Sequence, residues 1–478
     1  MTDKKPGPDR HRSVTRPALA SHNATEERTL MSKDSTPQKQ KLSLTGSVAL
    51  GTGVMIGAGI FALVGQVAEL AGGWVPWAFF AGAVVVAFSS YSYIRYSATN
   101  PSSGGIAMLL KAAYGPGVVA GSFSLFMYVS MIMAESLLGR TFATYLLRPF
   151  GLQGSNIWVP VLAVAAIAAA ALVNLVGNRW VEGSATVTAA IKILGIAALA
   201  IAGILAAGVS SLGRLFNAAD RTPPEQGWLG FLAGVTLCIL AYKGFTTITN
   251  QGADLRKPER NIGRSIIIAI GLCTVLYLLI TVAVTGSLTV DQIIEARDYA
   301  LAEAAVPTFG SWGVTLTVAI AVVATLSGLV ASLFSVSKLY DMLRDMGQAP
   351  GLPGQEGHQS LYITAGLAMV MAGFFDLSQI ASLGAILYLA MDLAVHVGVI
   401  RHLSNEIDAK AWIPWTAIVL DTAVLVPFLL VKAQSDPLTV VISLLVATVI
   451  TVSQWLVVRH RRRNGSPPQE ASTQHHPD

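Results

Sequence analysis

The chain has 478 residues, of which 53% are hydrophobic and only 12% charged, with a formal net charge of +5. A soluble domain carries about 25% charged residues, so a water-clothed globular fold is excluded. A membrane β-barrel is excluded too, because its strands of about 10 residues alternating in polarity are absent. In such a chain the positive balance reports orientation in a bilayer and implies no nucleic-acid partner.

Residues 1–41 are polar, with scattered Lys, Arg, Ser, Thr and Pro; they read as a disordered tail without a signal peptide. Apolar runs of about 20 residues, the length needed to cross hydrocarbon, then recur to the end. They predict about twelve spans, at 43–71, 74–97, 117–147, 157–177, 183–209, 228–251, 263–288, 311–338, 360–376, 379–401, 412–432 and 438–458. Residues 42–401 are read as a ten-helix core and 402–458 as two accessory helices. Residues 459–478 are read as a disordered basic tail. With the N-terminus inside, eleven Lys/Arg fall in the inner loops and five in the outer ones. The positive-inside bias therefore predicts both termini in the cytoplasm and a multi-pass protein of the cell membrane.

The first span holds four glycines within nine positions, Gly51, Gly53, Gly57 and Gly59. Each weakens a helix by about 1 kcal/mol against alanine, at a depth where unpaired backbone groups cost several kcal/mol unless something answers them. The sixth span repeats the anomaly, with Gly244, three threonines and Asn250-Gln251-Gly252 after Lys243. Interrupted spans at corresponding places in two halves point to a transport site at their meeting point. Spans one and six correspond if the core is two five-span repeats of opposite orientation.

Several segments resemble the amino acid–polyamine–organocation (APC) superfamily of transporters. These are Gly53-Val54-Met55-Ile56-Gly57-Ala58-Gly59-Ile60-Phe61, Asn100-Pro101-Ser102-Ser103-Gly104-Gly105 and Ala241-Tyr242-Lys243-Gly244-Phe245. The loop from Asp254 to Asn261 and the end of span eight from Ser337 to Gly347 follow in the superfamily's order and spacing. The resemblance implies an all-α, LeuT-like fold of two inverted five-helix repeats with helices one and six broken. It also implies amino acids or related amines as substrates, carried by exchange or by symport with protons or sodium.

At the first break, the second half-helix starts near Gly57, and the N–H groups of Ala58 and Gly59 are placed to clamp a substrate carboxylate. The carbonyls of Met55, Leu240, Ala241 and Lys243, around the Gly244 break, suit an ammonium. The alternative is that the glycines only allow close helix packing. Lys192 lies about nine residues into span five, roughly 13 Å deep at 1.5 Å per residue. That is too deep for easy snorkelling, so it is read as functional. A buried lysine can gain and lose a proton near neutral pH. Some sodium-independent members of the resembled superfamily carry a lysine here, its amine standing in for sodium between spans one and eight. Lys192 is thus expected to couple protons or to serve as a fixed cation.

Lys243 stands where the resembled superfamily has an apolar or small residue. It either faces the pocket and selects an acidic group, or pairs with Glu135 of span three as a structural or gating ion pair; the second reading is preferred. Ser327 and Ser332 of span eight are weaker candidates for ion coupling, with bonding to the preceding turn as the alternative. Asp254 and Arg256 are candidates for a gate at the inner end. Asp392 and His396, i,i+4 in span ten, read equally as a proton relay or a hydrogen-bonded pair.

Cys238 and Cys273 offer neither a disulfide framework nor metal-ligand spacing. No nucleotide, HExxH or GxSxG motif is present, so no enzyme activity, cofactor or metal is expected. The sequence reading is a secondary-active amino acid transporter, proton-linked, with an amine or polyamine exchanger as runner-up and an uncoupled channel or receptor as the rival.

Overall fold

In a computed structural model of the chain, the structure describes residues 41–102, 104–176, 178–208, 221–351 and 357–463. The expected tails at 1–40 and 464–478 lie outside the described residues. The described residues are helical throughout, apart from turns and one isolated parallel bridge between Leu42 and Leu255.

Span one is two helices, Leu44–Ala58 and Ile60–Ala71, and span two is Val75–Thr99. A short helix, Gly105–Tyr114, leads to span three at Val118–Leu147. Spans four and five are Trp158–Val176 and Asn178–Ala207. Span six begins as Gly227–Tyr242 and ends as Thr246–Thr249, with a 3-10 turn at Lys243–Phe245 between them. Spans seven, eight, nine and ten are Pro258–Ser287, Ser311–Asp345, Gln359–Phe374 and Leu377–Gly398. Spans eleven and twelve are Trp412–Ser435 and Pro437–Arg463.

Among the described residues, ten stretches are long and apolar enough to cross a bilayer. Two features account for the difference from twelve. The stretch Ile60–Thr99 folds back at Gly72–Trp74, so it holds half of span one and all of span two. Span nine, Gln359–Phe374, has only 16 residues. Gly72 makes the fold-back possible: its φ of 57° is a left-handed conformation that a side chain would oppose.

Boundaries moved most where charged residues extend a helix beyond the hydrocarbon. Span eight continues to Asp345 instead of stopping at residue 338, and span twelve runs through Arg463, so Arg459–Arg463 is helix and not tail. Span five starts at Asn178, earlier than the expected 183. Between spans seven and eight a short helix forms at Val290–Glu295, where Thr289 and Gln292 make a reciprocal capping box. Pro427 lies inside span eleven.

Spans one, six, three, eight and ten enclose the core, with spans two and seven packed together beside them. Span twelve packs on spans three, ten and eleven with only 11% of its apolar window buried. This leaves its face to lipid, while the middle of span six, at 89% buried, is wholly internal.

Candidate functional site

The first interruption is confined to Gly59. Its φ and ψ of −78° and −68° stay in the right-handed helical region; its N–H donates to the Met55 carbonyl at 2.8 Å, and the Leu63 N–H donates to its own carbonyl at 3.1 Å. What the glycines remove is side chain more than helix. A methyl on Gly59 would lie 2.5 Å from the Tyr277 hydroxyl and 2.8 Å from the Ala241 Cβ. On Gly57 it would lie 2.9 Å from the Ala324 carbonyl of span eight. Spans six, seven and eight thereby approach the first span to backbone contact.

The second interruption changes the backbone itself. The α-helix tightens at Tyr242, and Lys243 N–H donates to the Leu240 carbonyl, an i−3 bond of 3-10 type. Threonine hydroxyls answer the disturbed carbonyls, Thr246 Oγ1 donating to the Lys243 carbonyl at 2.9 Å and Thr249 Oγ1 to the Thr246 carbonyl at 2.7 Å. Gly244 sits against the first span, where a methyl would meet the Met55 nitrogen at 2.7 Å. The two interruptions are therefore in direct contact.

All four carbonyls expected to receive an ammonium already accept one bond here. Met55 accepts from Gly59, Leu240 from Lys243, Ala241 from the Tyr277 hydroxyl at 3.3 Å, and Lys243 from Thr246. Lys243 accepts the Thr246 N–H as well, so both of its lone pairs are engaged. Ala58 is the last residue of the first half-helix.

Lys192 is 1% exposed and donates from Nζ to the Gly53 carbonyl at 3.0 Å. The earlier start of its helix places it 14 residues from Asn178 and 15 from Ala207. That is about 21 Å along the helix from either end, with the amine turned to span one and away from both faces.

Lys243, 3% exposed, donates to the Ser130 hydroxyl at 2.6 Å and lies 5.3 Å from the centre of the Tyr388 ring. Ser130 in turn donates to the Gly384 carbonyl at 2.5 Å. Glu135 is fully buried, and neither of its oxygens has a hydrogen-bond partner of good geometry. It bears on Lys243 electrostatically but is not within 4.0 Å of it, and Ser332, 1% exposed, is its neighbour from span eight. The preferred expectation for Lys243 thus meets a different partner, Ser130, with Glu135 one step further off. Ser327 turns its hydroxyl back to the Val323 carbonyl at 2.5 Å, the bond to the preceding turn that was the alternative reading. Arg140, five residues from Glu135, donates to the Ala372 carbonyl at 2.9 Å and to Phe375.

Contacts bridge both ends of the bundle. At the Leu42 end, Leu42 N–H donates to the Asp254 carbonyl at 2.8 Å and Arg256 N–H to the Leu42 carbonyl at 3.0 Å. Asp254 Oδ2 pairs with Lys338 at 2.6 Å. This ties the entry of span one, the loop after span six and the end of span eight together. At the other end Glu69 pairs with Arg297 at 3.2 Å, and Gln66 Nε2 donates to Asp298 Oδ1 at 2.7 Å. Gly65 lets the loop in: a methyl there would overlap the Arg297 backbone at 2.2 Å.

Sequence reasoning missed Ser130, Tyr388, Lys338 and Asp421. Asp421 alone had a signal, being an acid inside an apolar span. The others are ordinary residues whose importance comes from which helix faces them.

The chain has been compared with known proteins. The amino acid permease family profile matches residues 42–464. The inner membrane transport protein YbaT of Escherichia coli is 30% identical over 80% of this chain and 88% of its own length. The serine/threonine exchanger SteT of Bacillus subtilis is 23% identical over 63% of this chain and 67% of its own. Solved structures of an Eremococcus coleocola manganese transporter superpose with TM-scores of 0.57 and 0.59, at 11% and 10% identity, covering 88% of this chain and 95% of theirs. That likeness establishes the LeuT-like fold alone. The match across nearly the whole length, on a fold whose first and sixth spans are interrupted where they touch, assigns the chain to the amino acid permease family of membrane transporters.

Proposed function

We propose that the protein is a secondary-active amino acid transporter, driven by protons through Lys192, with its substrate held where spans one and six touch. The observation that carries the reading is the Lys192 amine, at mid-helix and 1% exposed, bonded to the Gly53 carbonyl at 3.0 Å. A charge at that depth is costly and by default functional. Tied to the glycine-rich helix, its gain or loss of a proton changes the hold of span five on span one.

The N–H groups of Ala58 and Gly59 turn to a substrate carboxylate once the Gly59 bond to Met55 is released, and the carbonyls of Met55, Leu240, Ala241 and Lys243 receive the ammonium as the helices part. The contacts at the two ends support a cycle in which the bonds at Leu42 and at Asp298 are released alternately. The end bearing Leu42 faces the cytoplasm, as the distribution of basic residues favours. Lys243 favours amino acids over polyamines, because it sets a positive charge beside the sixth-span turn. A channel needs a continuous polar stripe, and the polar groups here gather around the two interruptions.

Proteoliposomes with an imposed pH gradient test this. Uptake of a labelled amino acid, found by a thermal-shift screen, should accumulate when the outside is acid and stop with a protonophore. Uptake indifferent to the gradient would remove the proton-driven reading.

A further inference from the structure

We infer that Asp392, His396 and Asp421 form a site for one divalent transition-metal ion of the zinc type, buried at the junction of spans two, ten and eleven. Ligand atoms of the three side chains lie within 4.8 Å of one another, and all three side chains are 0% exposed. His396 Nε2 is 3.5 Å from Asp392 Oδ1 and 3.5 Å from Asp421 Oδ2. This spacing is too long for good hydrogen bonds. It fits two ligands on one tetrahedral ion, for which bonds of about 2.0–2.2 Å place ligand atoms about 3.3–3.6 Å apart.

The hydrogen bonds around the cluster agree. His396 Nε2 and both Asp421 oxygens are buried without a hydrogen-bond partner. The groups that would orient the ligands are in place: Ser92 Oγ is 2.9 Å from His396 Nδ1, and Ser89 Oγ donates to Asp392 Oδ2 at 2.6 Å. Tyr93 donates to Asp392 Oδ1. A proton on Nδ1 bonded to Ser92 leaves the Nε2 lone pair for a metal, the usual arrangement for a ligating histidine. A doubly charged ion then balances the two aspartates against a neutral imidazole. A proton shared within the triad is the competing account, but it would draw donor and acceptor to about 2.5–3.2 Å.

Such an ion fastens span eleven to the core. It departs from the expectation of no metal, which rested on cysteine spacing and the lack of an HExxH motif and did not consider Asp421.

The full chain, purified without added metal on a tag free of histidine, should carry about one zinc-type ion per molecule by elemental analysis. A high-affinity chelator should lower its thermal midpoint by several degrees, and Zn²⁺ alone should restore it. His396→Gln and Asp421→Asn should each lose roughly tenfold or more of the metal affinity, and Zn²⁺ should no longer raise their midpoints. Wild-type protein that is metal-free, with a midpoint indifferent to chelator and to Zn²⁺, would overturn the site. So would full metal content in both variants. If neither variant folds, the wild-type measurements decide.

Discussion

Two lysines are buried in the membrane core, and their surroundings differ. Lys192 has a backbone carbonyl as partner, that of Gly53. Lys243 has a hydroxyl at 2.6 Å, an aromatic face and the field of Glu135. A lone amine on a carbonyl can give up its proton and leave no opposite charge stranded. An amine facing a buried acid cannot, because each group makes the other's charge tolerable. Charge in an apolar span marks importance equally in both cases; the partner decides whether the lysine moves a proton or holds a structure.

The largest effect should come from Lys192. Lys192→Ala should lower proton-driven uptake by about 100-fold, roughly 3 kcal/mol, with little change in thermal stability. Lys192→Arg sharpens the comparison, since a guanidinium keeps its charge at every accessible pH. A residue that must release its proton fails as arginine, whereas a fixed cation survives. Arginine protein that still exchanges substrate, at a rate flat in pH, would put Lys192 in the same class as Lys243.

Lys243 should show the reverse pattern, with stability moving first. Lys243→Met removes the donor to Ser130 and the amine bearing on Glu135, a loss of about 1–3 kcal/mol. Adding Glu135→Gln should recover much of it, and the coupling between the two should reach about 1–3 kcal/mol in a double-mutant cycle. Unfolding free energies that simply add would show that the two do not depend on one another.

Much of this was legible in the chain. The spans, the two interruptions and both lysines stand out because glycine and charge are expensive in hydrocarbon wherever they fall. The narrowness of the first interruption was not legible. Whether Gly51 to Gly59 opens a backbone or admits a neighbour depends on Tyr277, Ala241 and Ala324, which lie more than 180 residues away. Ser130 and Tyr388 escaped for the same reason, since the register of one helix on another is not written in either. Asp254 was visible as a gate candidate, but nothing in the segment Ser337 to Gly347 marks Lys338 as its partner.

The inner latch carries a smaller effect. Asp254 and Lys338 are 34% and 21% exposed, so water screens their 2.6 Å contact, and such a pair contributes about 1 kcal/mol or less. Asp254→Asn should leave the thermal midpoint almost unmoved. It should still speed the reaction of a cysteine placed at Leu255 with a water-soluble maleimide, because that end then opens more often. High salt should do the same to the parent protein. Unchanged labelling in both would mean that the Leu42 backbone pairing alone holds this end shut.

The smallest effect belongs to the opposite end. Asp298 lies in the loop between spans seven and eight; burial raises its carboxyl above the ordinary value, although Arg297 and the Gln66 hydrogen bond pull it down. An acid raised on folding binds its proton more tightly in the closed form than in the open chain. Closure is therefore favoured below the ordinary carboxylate range and loses that advantage as pH rises through the raised value. Asp298→Asn removes the titration but keeps an oxygen for Gln66 Nε2. At neutral pH the variant should match or slightly exceed the parent in thermal midpoint, and the parent's decline between acid and neutral pH should flatten. A variant that is less stable at neutral pH would show that the charge is needed for its pairing with Arg297, and that this end is latched by ions as the Leu42 end is.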